Sequence, residues 1–178
     1  MPADTTRTPP GDLLMPQAPA MRHVLGHFCT GVAVITAHDG SKPLGFTCQS
    51  VTSVSLDPPY VSFCPAKTSS SWPAIRDVGR LCVNILAEHQ VGVGTQFAVR
   101  GRDKFSGISW YPGANGAPTL DGTLASIEAD VESEHEAGDH TIVIARVTGL
   151  RAQQESGPLL FYRGGFGGYS GFDGGRHG

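Results

Sequence analysis

Alternating apolar and polar positions along most of the chain predict a protein built mainly from β-strands. Short runs rich in β-branched and aromatic residues recur between turn-forming residues, which is the pattern of antiparallel sheet. The predicted strands cover residues 32–37, 44–48, 50–56, 60–64, 80–86, 124–136, 140–152 and 159–162. The two longest strands, 124–136 and 140–152, are joined by a short Gly-containing turn and form a predicted hairpin with one fairly polar face.

Three segments instead have the apolar spacing or the start signals of helices. The predicted helices cover residues 21–29, 71–78 and 88–99. The third is weakened by Gly92 and Gly94, because glycine is a poor helix former. Residues 105–118 are rich in glycine and proline and are predicted to form a loop. No G-x-G-x-x-G follows a strand, so a doubly wound dinucleotide-binding fold is disfavoured. A closed or nearly closed antiparallel β-barrel with short helices at its edges fits best.

The length of 178 residues fits one domain with its own core, which we place at residues 21–169. Residues 1–20 are rich in proline, and residues 170–178 end a glycine-rich run, so both ends are predicted to be flexible. A formal net charge of -3 without a basic stripe argues against nucleic-acid binding. The chain shows neither a signal peptide pattern nor a membrane-spanning apolar run, so a cytoplasmic protein is expected.

The cysteines and histidines do not show the spacing of a metal site. The four cysteines are widely separated and lie in apolar, strand-like contexts, so they are predicted to be reduced thiols packed in the core. His23 and His27 lie four residues apart on a predicted helix, but the sequence places no third ligand beside them. We therefore predict no metal.

A dense run of hydroxyl side chains occupies residues 43–71, largely at predicted strand ends. Its last part, Lys67 to Ser71, precedes the helix predicted from residue 71. Hydroxyl donors, one cation and the free amides of a helix start suit an anion such as phosphate. The same pattern also describes an ordinary helix cap.

Several phrases of the sequence, in the same order, resemble the short-chain flavin reductases, which are the NAD(P)H-dependent partners of two-component flavin monooxygenases. They are FCTGVAVITA, GFTCQSVTSVSLDPP, FCPAKTSSSW, GRLCVNILA, RDKFSGISWYPG, GDHTIVIARV and LLFYRGGFG. The resemblance implies a split β-barrel that binds flavin, as a homodimer with each site near the subunit contact.

The resemblance also implies a set of flavin-contacting residues at the strand ends and in the hydroxyl-rich run. They are Gly45, Phe46, Thr47, Gln49, Ser50, Cys64, Pro65, Ala66, Lys67, Ser69, Ser70, Ser71, Gln96, Phe97 and Phe105. The chain departs from many relatives at Cys48-Gln49, where they carry Ala-Asn, and at Gln96, where they often carry an arginine that contacts phosphate. Loss of that charge-assisted contact could shift the flavin affinity or the choice between FMN and FAD. Phe105 could close over the site or pin its loop.

A second set of residues resembles the place where the nicotinamide cofactor, NADH or NADPH, approaches the flavin. His140 of the Gly-Asp-His phrase would orient that cofactor, and Arg163, Phe166 and Tyr169 would contact it. A cation beside aromatic rings suits phosphate and adenine. From the residues alone, His140 could equally be a structural hydrogen-bonding residue at a turn, and Tyr169 an incidental aromatic in a glycine-rich tail.

These features together predict an NAD(P)H:flavin oxidoreductase that supplies reduced flavin to a separate monooxygenase, one that hydroxylates an aromatic ring. Hydride transfer needs two aligned rings and no protein acid or base in the hydride step, so no catalytic side chain is predicted. The alternative is a flavin- or haem-binding module on the same barrel without reductase turnover, which would have no need of His140 and Arg163.

Overall fold

The structure is a computed structural model that describes residues 11–101, 103–152 and 156–171. The strands are β1 Thr30–Gly31, β2 Ala33–His38, β3 Pro43–Cys48, β4 Thr52–Leu56, β5 Pro59–Phe63, β6 Arg80–Ile85, β7 Trp110–Pro112, β8 Pro118–Leu120, β9 Ala125–Ala137, β10 His140–Ala152, β11 Leu160–Tyr162 and β12 Gly165–Gly167. The helices are α1 Ala18–Leu25, α2 Trp72–Val78 and α3 Val91–Ala98, with a 3₁₀ turn at Glu88–Gln90. Residues 1–10 and 172–178, parts of the predicted flexible ends, lie outside the described residues.

Seven strands form one antiparallel sheet in the order β3-β2-β6-β9-β10-β5-β4. The edge strands β3 and β4 are joined by residues 49–51 alone. A flat seven-stranded sheet would hold its edges roughly 29 Å apart, whereas four peptide units span at most about 14 Å. The sheet must therefore curl until its two edges approach each other. A mostly β protein with few short helices is confirmed, and full closure into a barrel stays a prediction.

Strand β2 is covered on both faces, so the sheet separates two apolar clusters. Ile35 packs with Phe63, Ile75 and Val143 in the larger cluster. Val34, its neighbour in the chain, packs in the second cluster beneath α3 with residues such as Phe97. Because successive side chains of a strand point to opposite faces, a continuous apolar run is needed to serve both clusters. That run is what made β2 recognisable in the sequence.

The predicted loop at 105–118 instead overlaps a small hairpin formed by β7 and β8. Asn84, fully buried in β6, holds this hairpin on the main sheet: its Oδ1 accepts a hydrogen bond from the Leu120 amide at 2.8 Å. Its Nδ2 donates to the Thr36 hydroxyl and to the Val34 carbonyl. The hairpin depends on this side chain, which is distant in sequence and leaves no local pattern. The local glycine and proline content alone therefore predicted a loop.

Several other boundaries and elements differ from the sequence-based predictions. Helix α1 begins at Ala18 rather than at residue 21, because Pro19 lies in the first turn, where no backbone N–H is needed. The predicted helix 88–99 is divided into a 3₁₀ turn and α3. Part of the glycine-rich run forms β12, which pairs with β11. Among the described residues, no helix is long and apolar enough to cross a membrane.

Candidate functional site

A cleft of about 540 Å³ opens at the end of the sheet where β3 and β5 finish. Eleven of the nineteen residues predicted to contact flavin or nicotinamide line it, together with four others. The predicted ones are Phe46, Thr47, Gln49, Ser50, Cys64, Pro65, Ala66, Ser69, Ser70, Phe97 and His140. The four others are Cys48, Ala98, Arg100 and Lys104. Segments that are distant in sequence thus meet in one concave site, as expected of a ligand pocket.

The hydroxyl groups at the strand ends hold the walls of the cleft together. The Ser50 hydroxyl accepts a hydrogen bond from the Cys64 amide at 2.8 Å and lies 3.3 Å from Cys48 Sγ. The Thr47 hydroxyl donates to the Gly94 carbonyl of α3. These bonds join the end of β3 to the end of β5 on one side and to α3 on the other. Some of the hydroxyls assigned to a ligand therefore have a structural partner already.

Among the described residues, the lysine and arginine side chains that line the cleft are Arg100 and Lys104, in the segment after α3. Lys104 Nζ donates to the Gly45 carbonyl at 3.0 Å and to the Ser71 hydroxyl at 3.2 Å. Burial, together with the nearby positive charge of Arg100, lowers the pKa of Lys104. The positive charge of Lys104 at the cleft wall is therefore poorly compensated by the protein. A bound anion such as phosphate would compensate it. Sequence reasoning missed both residues, although Lys104 stands in the RDKF phrase that carried the resemblance.

Lys67, the cation predicted for the anion site, does not line the cleft. Its Nζ forms an ion pair with Glu136 at 3.1 Å, and it borders a separate groove with Trp72 and Arg76. Glu136 lies on β9, near the tip of the long hairpin, so sequence distance hid this partner. Lys67 was predicted for the anion site because it adjoins the hydroxyl run in sequence, whereas Arg100 and Lys104, which line the cleft, follow α3.

Four further predicted residues border the cleft indirectly. Gly45 and Ser71 accept the hydrogen bonds from Lys104. Gln96 Nε2 donates to the Lys104 and Ser106 carbonyls, each at 2.9 Å, and so shapes the loop that carries Lys104. Phe105 packs edge-on against Phe97 with ring centroids 4.9 Å apart. Its place in the second apolar cluster corresponds to pinning the loop.

His140 reaches the cleft because the tip of the β9–β10 hairpin is tied to the segment after β5. The Thr141 amide donates to the Pro65 carbonyl at 3.0 Å, and the Lys67 amide donates to the Asp139 carbonyl at 2.9 Å. His140 Nδ1 lies 2.8 Å from Asp139 Oδ1, and this hydrogen bond lowers the pKa of Asp139. A carboxylate at Nδ1 favours a proton there and leaves Nε2 for a ligand.

The other three residues predicted for the nicotinamide cofactor lie outside this cleft. Arg163 occupies the β11–β12 turn with a positive φ of 49°, and its guanidinium stands over the Tyr162 ring. Phe166 packs against Phe161 with ring centroids 5.3 Å apart. Tyr169 is 52% exposed. Of the four residues predicted to contact the nicotinamide cofactor, the structure therefore places one, His140, beside the residues predicted to contact flavin.

The remaining sequence-based predictions concern the four cysteines and a possible metal site. All four cysteines are free thiols, but only Cys48 and Cys82 are buried, whereas Cys29 is exposed and Cys64 half-buried. The prediction of four core thiols is wrong at Cys29 because it follows α1, none of whose residues is buried. Within the described residues, no group of three or more His, Cys, Asp or Glu side chains could hold a metal ion.

The family model described as Flavin reductase like domain matches residues 25–170. The chain belongs to this family. It is 51% identical over 143 residues to the reductase subunit HsaB of a flavin-dependent monooxygenase from Rhodococcus jostii (strain RHA1), covering 80% of this chain and 73% of that protein.

Solved structures agree with the family assignment. A nitrilotriacetate monooxygenase component B from Mycobacterium thermoresistibile is 49% identical with a TM-score of 0.83, covering 85% of this chain and 86% of that chain. The NADH:FAD oxidoreductase SgcE6 of Streptomyces globisporus C-1027, in complex with NAD and FAD fragments, is 33% identical with a TM-score of 0.84. The match covers 90% of this chain and 98% of that chain.

Proposed function

We propose that this protein is an NAD(P)H:flavin oxidoreductase that reduces FMN or FAD by hydride transfer and supplies the reduced flavin to a partner monooxygenase. The observation that carries the proposal is the meeting of two cations, a row of strand-end backbone and hydroxyl groups, and His140 in one cleft. The names of the similar proteins support it, since they include a reductase subunit of a monooxygenase and an NADH:FAD oxidoreductase.

The residues of the cleft fit a flavin phosphate and ring. Residues 46–50 and 64–66 form two walls that can receive a flat ring, with backbone amides and the Gln49 amide as donors and acceptors. Lys104 and Arg100, with Ser69 and Ser70, supply charged and hydroxyl donors for a phosphate. A bound flavin would supply the two-electron chemistry, and these residues would bind and orient it. This assignment replaces Lys67 with Lys104 and Arg100 at the anion end.

His140 is proposed to position the nicotinamide ring beside the flavin. Its Nδ1 is engaged by Asp139, so Nε2 is available to the carboxamide of the nicotinamide. His140→Ala should therefore raise the KM for NADH roughly tenfold, the equivalent of about 1.4 kcal/mol, while changing the KM for flavin little. His135→Ala, an exposed position on the same hairpin, is the matched control. An equal rise in both KM values would contradict this role.

The function itself is tested by following NADH absorbance with the purified protein and FMN or FAD. We expect loss of NADH that depends on added flavin, followed by transfer of reduced flavin to an added oxygenase component. A flavin- or haem-binding module without turnover would bind its ligand and leave NADH unchanged. If neither NADH nor NADPH is consumed with either flavin, the reductase assignment is wrong.

A homodimer is also proposed, because helix α1 exposes an apolar face. Met21, Val24 and Leu25 on the helix, and Phe28 shortly after its end, are between 47% and 75% exposed. A contiguous apolar face of this kind is typical of a protein interface. A second copy of the chain is the proposed occupant. Light scattering should give twice the chain mass for the natural protein and a monomer for Val24→Glu; a natural protein of one chain mass would exclude the dimer.

A further inference from the structure

The tip of the β9–β10 hairpin carries His140 to the edge of the cleft. The regular pairing of β10 with β5 ends at Val143 and Phe63, three residues short of His140. Beyond that point, an isolated bridge between Ala66 and His140 links the tip to the segment after β5. The position of His140 therefore depends on contacts outside the β5–β10 ladder.

Two carboxylates of β9 reach from this tip towards α2 and the segment before it. Glu134 Oε1 accepts a hydrogen bond from Trp72 Nε1 at 2.9 Å, and Glu136 Oε2 lies 3.1 Å from Lys67 Nζ. Both carboxylates lie on one face of β9, because side chains two residues apart on a strand point the same way. Together with Lys67 and Trp72, they line the groove between α2 and the hairpin. The hairpin tip is thus held at two points.

The two contacts differ in how firmly they can hold the tip. Trp72 is 5% exposed, and its ring packs edge-on against Phe63 with centroids 5.4 Å apart, so its N–H is a fixed donor that needs an acceptor. The side chains of Lys67 and Glu136 are 40% and 87% exposed, and ion pairs so open to water contribute little. The Glu134–Trp72 bond is therefore the stronger restraint.

We propose that Glu134 is a positioning residue for the hydride donor: its hydrogen bond to Trp72 fixes the hairpin tip so that His140 faces the cleft. This inference rests on the proposed function, in which His140 positions the nicotinamide ring. Glu134 lies outside the residues that line the cleft, so its effect on the donor passes through His140. Trp72 is a suitable anchor because it also packs against Phe46, a residue of the cleft, with ring centroids 6.4 Å apart.

Three substitutions separate the hydrogen bond from the charge and from the neighbouring ion pair. Glu134→Ala removes the acceptor. Glu134→Gln keeps a side-chain oxygen that can accept from the indole and loses only the charge. Glu136→Ala is the matched control, two residues along the same face of β9. Both glutamates are exposed, so none of these changes opens a cavity in the core.

Steady-state kinetics with NADH and FMN give the first test. Glu134→Ala should raise the KM for NADH roughly three- to fivefold, less than the effect expected for removing His140 itself, and leave kcat and the KM for flavin nearly unchanged. Glu134→Gln should recover most of the loss. Glu136→Ala should change the KM for NADH by less than about twofold, since its ion pair is exposed.

A double substitution tests whether Glu134 acts through His140. Residues that work as one unit have effects that do not add. Glu134→Ala should therefore raise the KM for NADH no further when it is introduced into His140→Ala. Two independent, multiplying effects would overturn the proposal.

Amide hydrogen exchange follows the hairpin tip without NADH or flavin, and so separates this inference from the proposed function. The Thr141 amide donates to the Pro65 carbonyl and the Lys67 amide to the Asp139 carbonyl. Both amides should exchange roughly three- to tenfold faster in Glu134→Ala and at nearly the natural rate in Glu136→Ala, while amides of β6 should not change.

The outcomes of these measurements are distinct. If the natural protein consumed no NADH, that result would count against the reductase assignment, and the exchange rates would still test the hold on the hairpin tip. Unchanged exchange in Glu134→Ala, a KM for flavin that rises as much as the KM for NADH, or a Glu134→Gln variant as impaired as Glu134→Ala would each overturn the role of Glu134.

Discussion

Lys104→Met should weaken binding of FMN roughly 10- to 100-fold, because a partly buried charge-assisted hydrogen bond contributes about 1.5–3 kcal/mol and each 1.4 kcal/mol is a factor of ten. Lys104 Nζ already contacts Gly45 and Ser71 at the cleft wall, and methionine retains the apolar stem without the ammonium. Fluorescence titration with FMN measures the loss. Arg100→Met should act in the same direction.

Riboflavin is the control ligand, since it has the ring and ribityl chain of FMN but no phosphate. Its affinity should be nearly the same for the natural protein and for Lys104→Met. An equal loss for riboflavin and FMN would mean that the substitution distorts the whole cleft, and the phosphate role would be wrong.

The pH dependence of binding gives a second signature of Lys104. Phosphate favours the charged amine, and burial with Arg100 nearby lowers the pKa of Lys104, so the charge is lost at a lower pH than for an ordinary lysine. The affinity for FMN should therefore begin to fall at a lower pH than the pKa of an ordinary lysine, which is about 10.4. In Lys104→Met this part of the profile should be flat.

Gly45→Ala should lower both the stability of the fold and the affinity for flavin. A Cβ at this position would lie 2.6 Å from Phe97 Cε1 and 3.1 Å from the Ile35 carbonyl oxygen. The Phe97 ring is fully buried and packs edge-on against Phe105, so a shift of this ring disturbs its neighbours. Overpacking of this kind costs about 1–3 kcal/mol, to be measured as a shift of the urea unfolding midpoint. Displacement of β3 also moves the Gly45 carbonyl, which accepts a hydrogen bond from Lys104. The Kd for FMN should therefore rise roughly tenfold, which corresponds to a loss of about 1.4 kcal/mol of binding free energy.

Gly92→Ala is the matched control for Gly45→Ala. It lies in α3, and a Cβ there meets no atom within 4 Å, so alanine should leave stability unchanged or raise it by up to about 1 kcal/mol. The double substitution Gly45→Ala with Phe97→Leu should recover part of the lost stability because it removes the clashing ring atoms. Unfolding midpoints that fall equally for Gly45→Ala and Gly92→Ala would contradict the steric explanation.

The strands and the cleft walls were predictable because their signals are local. Strand β2 is a continuous β-branched run, and residues 46–50 and 64–66 follow strand patterns that place them at strand ends. The phrase resemblance then assigned a chemistry to those ends. Most residues brought together in the cleft belong to these segments.

The cations of the cleft were not predictable in the same way. Arg100 and Lys104 lie in an irregular segment with no periodicity, so only the folded chain places them opposite the hydroxyl run. Lys67 has the more suggestive sequence position, beside four hydroxyl residues, but Glu136 engages it from the distant hairpin. Electrostatic partners that are far apart in sequence carry no local pattern.

The short link between β3 and β4 gives the cleft a double role. Ser50 in that link accepts a hydrogen bond from the Cys64 amide at the end of β5, so one wall of the cleft also ties the link between the two edge strands to the neighbouring strand of the sheet. A ligand bound across residues 46–50 and 64–66 would contact both the link and the end of β5. Such a ligand would therefore help to hold these two segments together.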